Sequence, residues 1–236
     1  MTPFIGEIVG TCFLILLGNG VVSNVVLKNT KGNNGGWIVI TFGWAMAVFV
    51  GVFVSAAASG AHLNPAVTFA LAVAGKTEWS LLPTYFLGQM LGAMLGQFLV
   101  WVIYKAHYDI TQEPGLIRAT FCTTPEIRNP FRNFITESIA TSVLVLGVLL
   151  MVSPSASLGA VDALPVAFLV LAIGLSLGGP TGYAINPARD LGPRLVHWLL
   201  PLKHKGDSDW NYAWIPVIGP LAGGAVAALI FQVLGA

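Results

Sequence analysis

The sequence predicts an all-α membrane protein in which six transmembrane helices and two re-entrant half-helices form an inverted repeat. Three observations predict it. First, 56% of the 236 residues are hydrophobic and 9% are charged, with a mean hydropathy of +0.79. A soluble domain carries about 25% charged residues, and a chain with so few cannot cover a surface that faces water. Second, six apolar runs reach the length of about 20 residues that crosses a bilayer. Third, the tripeptide Asn-Pro-Ala occurs twice, and each copy opens an apolar stretch too short to cross. The composition excludes a disordered chain, and the net charge of +1 supplies no basic field for nucleic acid. Cys12 and Cys122 have neither metal-ligand nor redox spacing, and no bridge between them is expected.

The spanning runs cover residues 3–26, 37–58, 82–104, 134–152, 163–178 and 212–234. None shows the polar stripe of an amphipathic helix in a soluble bundle. The first run lacks a charged leader and contains Glu7, so it does not read as a cleaved signal peptide. Six spans place both termini on one side of the membrane.

The short stretches are 64–74 and 186–200. Asn is a good N-cap and Pro suits the first helical position, so each should start a helix at its Asn. The first has 11 residues and at about 1.5 Å per residue reaches about half of the hydrocarbon core. The residues before each Asn, Gly60, Ala61, His62, Leu63 and Gly182, Tyr183, Ala184, Ile185, are expected to be extended. Non-helical backbone at membrane depth survives only where protein buries it or water wets it. A matched pair of broken segments points to a site at the midplane.

An internal repeat carries the same message. Glu7 precedes Asn64 by 57 positions, and Glu137 precedes Asn186 by 49. Each half contains two spans, the motif and a third span, the last carrying glycines four apart (Gly88, Gly92, Gly96; Gly219, Gly223) where helices approach closely. Three spans per half invert the second half relative to the first. The expectation is one domain over residues 1–236, made of halves at about 1–105 and 130–236 joined by a loop at about 105–133.

The doubled motif, Asn64-Pro65-Ala66 and Asn186-Pro187-Ala188, within six spans and with a Glu in the first span of each half, resembles the aquaporin (major intrinsic protein) family over nearly the whole chain. The stretch Asn186-Pro187-Ala188-Arg189-Asp190-Leu191-Gly192-Pro193-Arg194, together with Pro216-Val217 in the last span, is similar to the glycerol-facilitator, or aquaglyceroporin, branch. The resemblance implies a constriction formed by Trp44, Gly174, Tyr183 and Arg189, with Tyr183 where the branch typically has Phe. From spacing alone Trp44 reads as an interface anchor and Gly174 as a helix-packing residue. Only the family offsets put them in a pore.

On this reading two helix N-termini meet at the midplane and present positive dipole ends. The Asn side-chain oxygens cap their own helices, and their amide hydrogens face the pore. The backbone carbonyls of residues 60–63 and 182–185 supply acceptors. Trp44 and Tyr183 face the CH side of a polyol, Gly174 leaves room, and Arg189 donates to two hydroxyls. Asp190 is expected to brace the loop rather than touch solute. His62 reads as a structural or vestibule residue, not a metal ligand. Glu7 and Glu137 read as acceptors holding the motif loops, with a proton relay as the other possibility.

The expected function is a passive channel for glycerol and other small uncharged solutes that also passes water and excludes ions and protons. The alternatives are a mainly water-selective pore and a coupled secondary transporter. No cofactor, metal or catalytic constellation is expected. The family implies a homotetramer in the cell membrane with cytoplasmic termini. One observation opposes that topology. Lys28, Lys31, Lys105, Arg118, Arg128, Arg132, Lys203 and Lys205 lie in connections that would be outside, and only Lys76 in one that would be inside. A plain reading of the charge bias puts the termini outside.

Overall fold

A computed structural model describes residues 1–151 and 156–235. Val152, the end of the fourth expected span, and Ala236, the end of the expected domain, lie outside the described residues. The helices are α1 (Pro3–Val26), α2 (Gly36–Ser59), α3 (Pro65–Val73), α4 (Leu82–Ile110), α5 (Pro114–Ala119), α6 (Pro130–Leu150), α7 (Leu164–Leu177), α8 (Pro187–Leu199) and α9 (Ile215–Leu234). Short 3-10 turns at Trp79–Leu81 and Gly159–Ala163 lead into α4 and α7. Among the described residues there is no strand. Six helical stretches, α1, α2, α4, α6, α7 with its 3-10 turn, and α9, are long and apolar enough to cross a membrane. The two half-helices are α3 and α8.

Several boundaries differ from the expected ones, each for a local reason. The fourth element continues to Ile110, because nothing breaks the helix before Pro114 and Thr111 closes it with a bond from its N–H to the His107 carbonyl (3.1 Å). The fourth expected run starts at Pro130 in place of 134, since Asn129 caps α6 by accepting from the Arg132 N–H (3.1 Å). The expected loop at 105–133 therefore holds the end of α4, all of α5 and the start of α6.

The burial pattern is the reverse of a soluble protein's. Leu87, Leu91, Leu95, Phe168 and Val233 face outward, while Glu7, Asn19, Gln89, Gln97, Glu137, Asp190 and Arg194 are fully buried. Lipid solvates the apolar exterior, and inside Asn19 donates to Gln97, Gln89 to Glu7 and Arg194 to Asp190.

Within the first half α1 packs against α2 and α4, and within the second α6 packs against α7 and α9. The α1–α4 and α6–α9 contacts are close because of glycine. A β-carbon on Gly92 would collide with the Ile8 carbonyl, and one on Gly223 with the Ser138 carbonyl. The half-helices then cross over. α3 packs mainly on α9 of the other half, and α8 packs on α4 as well as α9. This exchange brings Asn64 and Asn186 together.

Three connections form a polar cap at one end of the bundle. Lys28 pairs with Glu113 (2.9 Å), Arg118 donates to the Asp207 carbonyl (3.1 Å), and Arg128 pairs with Asp209 (2.6 Å). Much of the cationic bias that the sequence shows is thus engaged in folding this cap.

Candidate functional site

A cavity of about 230 Å³ runs through the interior where the halves meet. Its lining divides by chemistry. It includes the aliphatic residues Leu14, Val48, Val52, Val67, Leu71, Leu144, Val148 and Val170. It also includes the non-helical residues 60–63 and 183–185, Asn64, Asn186 and Arg189. Trp44 and Tyr183 stand beside Arg189. A water occupies about 30 Å³ of liquid volume, so the space suits a short file of small molecules and not a large ligand.

The midplane is built from the two motifs. Asn64 Oδ1 accepts from the Ala66 N–H (2.9 Å), and Asn186 Oδ1 accepts from the Ala188 and Arg189 N–H groups (3.0 and 3.3 Å). Each Asn thus caps its own half-helix, with Pro65 or Pro187 in the first helical position. The amides do not point only at the lumen, as expected. Asn64 Nδ2 donates to the Ile185 carbonyl and Asn186 Nδ2 to the Leu63 carbonyl, both at 2.8 Å. One hydrogen of each amide therefore clasps the opposite half, and the other is left for the lumen. Ala66 and Ala188 are fully buried, where a larger side chain would separate the two helices.

The segments before the motifs are not extended, in contrast to expectation. Gly60, Ala61 and Leu63 have φ of +77°, +54° and +52°, and Gly182, Tyr183 and Ile185 have +79°, +38° and +44°. The same unfavourable pattern occurs in both halves. Left-handed conformations of non-glycine residues cost about 1–3 kcal/mol each and persist only where surroundings over-determine them. The surroundings here are two buried carboxylates. Glu7 Oε1 accepts from Ser59 Oγ (2.6 Å) and the His62 N–H (3.0 Å), and its Oε2 accepts from the Leu63 N–H and Gln89 Nε2 (both 2.7 Å). Glu137 Oε1 accepts from Thr181 Oγ1 (2.7 Å) and the Ala184 N–H (3.0 Å), and its Oε2 from the Ile185 N–H (2.9 Å). With the N–H groups drawn to the glutamates, the peptide planes turn their carbonyls the other way. His62 bonds through Nδ1 with Thr68 Oγ1 (3.1 Å) and packs on the Tyr85 ring.

Among the four residues expected to form a constriction, the Arg189 guanidinium lies 4.4 Å from the Trp44 ring centroid. Gly174 does not itself line the cavity. A β-carbon there would sit 3.0 Å from Tyr183 Cζ and 3.1 Å from its hydroxyl. The room that Gly174 leaves is therefore filled by the Tyr183 ring end. The Gly174 carbonyl is held by Trp37 Nε1 (3.0 Å). Gly182 sits behind the lining, against Thr123.

Behind Arg189 lies a buried ionic knot. Asp190 Oδ2 accepts from the Thr123 N–H and Oγ1 (both 2.7 Å), and its Oδ1 accepts from Arg194 Nε (2.8 Å). Arg194 also donates to the carbonyls of Ser208 (2.7 Å), Asp209 (3.0 Å) and Thr123 (3.0 Å). Arg194 and Thr123 were not singled out from the sequence. The spacing of Asp190 and Arg194, one helical turn, was the available signal for the first. Nothing local marks Thr123. Asp162, in the 3-10 turn that leads into α7, also lines the cavity and was not foreseen.

Six helices long and apolar enough to cross a membrane, packed around an internal cavity beside which two capped half-helices meet, define a multi-pass membrane protein of the aquaporin fold. The chain belongs to the major intrinsic protein family, whose model matches residues 1–231. It is 53% identical over 232 residues to the glycerol uptake facilitator protein of Streptococcus pneumoniae (strain ATCC BAA-255 / R6), covering 98% of this chain and 99% of that one. It is 51% identical over 232 residues to a probable glycerol uptake facilitator protein of Thermotoga maritima, covering 98% and 99%. The X-ray structure of the aquaglyceroporin from Plasmodium falciparum superposes with a TM-score of 0.85 at 33% identity, covering 97% of this chain and 94% of that one.

Proposed function

We propose that this chain is a passive channel for glycerol and other small uncharged solutes, which also passes water and excludes ions and protons. The observation that carries the reading is the mixed lining of the cavity, in which aliphatic side chains accompany the non-helical segments, Asn64, Asn186 and Arg189. A polyol has the same division between hydroxyls and CH groups, so it exchanges water for the wall at little cost. The glycerol facilitator relatives support the choice of solute.

Trp44, Gly174, Tyr183 and Arg189 act as the selectivity filter. Asn64 and Asn186 act as midplane donors, with Pro65, Ala66, Pro187 and Ala188 holding their helix starts. The positive ends of α3 and α8, together with Arg189, raise the potential of the file against cations and protons. Glu7, Glu137 and Asp190 hold the loops. A coupled transporter would need free intramembrane carboxylates. Every carboxylate oxygen of Glu7 and Glu137 already accepts a bond from its own half, which favours the passive reading. The channel sits in the cell membrane as a homotetramer with cytoplasmic termini, each subunit conducting through its own lumen.

Stopped-flow swelling of proteoliposomes tests this. Glycerol uptake should be fast, unsaturated by ion gradients and insensitive to their collapse. Fast water flow without glycerol uptake would make the chain a water pore, and uptake that needs an ion gradient would make it a transporter.

A further inference from the structure

Trp37, in the first turn of α2, does not line the cavity, and by its place it reads as an anchor at the membrane surface. The indole N–H of such an anchor normally meets water or headgroups. Here Trp37 Nε1 donates instead to the Gly174 carbonyl of α7 (3.0 Å), 137 positions away and in the other half. That carbonyl stands in the last turn of α7. Among the described residues no bond runs back to it from the N–H of Gly178, which closes the helix. The indole therefore satisfies a helix-end acceptor that the local chain leaves open.

The same indole walls a slot between α2 and α7. The Tyr183 ring lines the cavity, but its hydroxyl end sits in this slot, closed in by Gly174 and the Thr41 methyl. A β-carbon on Gly178 would lie 2.5 Å from Tyr183 Cδ1 and 2.9 Å from Trp37 Cζ2, so the two rings share the space this glycine leaves. Trp37 meets the Tyr183 ring edge-on, with centroids 5.7 Å apart at 80°. Tyr183 is 4% exposed, and its hydroxyl bonds to no described residue. A sealed hydroxyl without a partner is an unfavourable state that the surroundings must impose. Thr41, Gly174 and Gly178 are buried, whereas Trp37 is the wall with an exposed surface. With Trp37 gone, the slot opens outward and the hydroxyl gains a route to water that draws the ring off the lumen.

We propose that Trp37 is a positioning residue, which holds the Tyr183 ring on the lumen by closing the slot behind it and tying α7 to α2, and so sets the largest polyol that passes. The inference rests on the channel reading above and deepens it.

The test is the ratio of erythritol to glycerol permeability in proteoliposomes, erythritol being one CHOH unit longer. Protein-free vesicles are subtracted, and water flow is the control for an open pore. The ratio of two solutes does not depend on how much folded protein the vesicles hold, so a residue that only anchors leaves it unmoved. Trp37→Ala should raise the ratio about three- to tenfold, the effect of freeing one unpaired hydroxyl. In a Tyr183→Phe background the same change should raise it less than about twofold, since no hydroxyl draws the ring outward. Trp37→Phe keeps an aromatic edge but gives up the bond to Gly174. It should raise the ratio in the same direction, and it decides the matter if the alanine variant does not fold. An unchanged or lower ratio, or an equal rise with and without the Tyr183 hydroxyl, overturns the proposal. Wild-type vesicles that pass water but no glycerol would defeat the channel reading itself, whereas glycerol uptake with a ratio indifferent to Trp37 would defeat this inference alone.

Discussion

Arg194→Met should be among the most damaging single changes in the chain, although position 194 does not line the lumen. The side chain is fully buried and its guanidinium binds Asp190 and three backbone carbonyls, from Thr123, Ser208 and Asp209. Met fills similar volume but leaves the Asp190 carboxylate with only the Thr123 N–H and hydroxyl. Breaking a buried pair by removing one partner costs about 3–5 kcal/mol, and for a chain of this size that lowers the unfolding midpoint by roughly 6–20 °C. Asp190→Asn in the Arg194→Met background removes the stranded charge. The double variant should therefore be less damaged than the sum of the two singles, by about 2 kcal/mol. Unfolding in detergent micelles, followed by tryptophan fluorescence, gives both numbers. A loss below about 1 kcal/mol for Arg194→Met, or simple additivity in the cycle, would refute the reasoning and mean that the cap is held by other contacts.

Arg189→Val should let protons leak, because it removes the one cation at the constriction; a pH dye trapped in vesicles reads the leak, and a tight variant would leave the half-helix dipoles as the sufficient barrier. Glu7→Gln should keep more glycerol conductance than Glu7→Ala, since its amide oxygen still accepts from one of the two loop N–H groups while its NH2 faces the other, whereas Glu7→Ala strands both the His62 and Leu63 N–H groups at about 1–3 kcal/mol each; a folded Gln variant as inactive as the Ala variant would show that loop bracing is not what Glu7 supplies. Gly174→Ala should cost about 1–3 kcal/mol by overpacking against Tyr183 and Thr41, and Gly174→His with Trp44→Phe should lower the glycerol to water permeability ratio only if Tyr183 is also shortened, which pairwise flux measurements would decide. The Lys28 ammonium bonded to Glu113 holds that carboxyl below its ordinary range. A depressed carboxylate contributes fully above its unfolded pKa, so the link fades as pH falls through the still lower folded value. Amide exchange in the segments around Lys28 and Glu113 should quicken there once normalised for intrinsic exchange, and a flat profile would show the link to be idle.

The sequence by itself determined the class of fold and the two places where the helices break. Apolar runs of spanning length need only composition to be read, because lipid tolerates little else. Asn followed by Pro is a local helix start, legible at each motif without knowing the other. Which atoms meet was a different matter. That Asn64 would spend an amide hydrogen on the Ile185 carbonyl depends on α3 packing against α9 of the opposite half, a contact between residues 121 positions apart in the chain. The left-handed turns at Ala61, Leu63, Tyr183 and Ile185 run against local preference, so no local signal could announce them; buried carboxylates impose them. Gly174 likewise looked like empty space in sequence, and only packing revealed the Tyr183 hydroxyl beside it. Local chemistry marked where the helices break, and the tertiary structure decided what each break faces, because burial turns long-range partners into the stronger constraint on every polar atom.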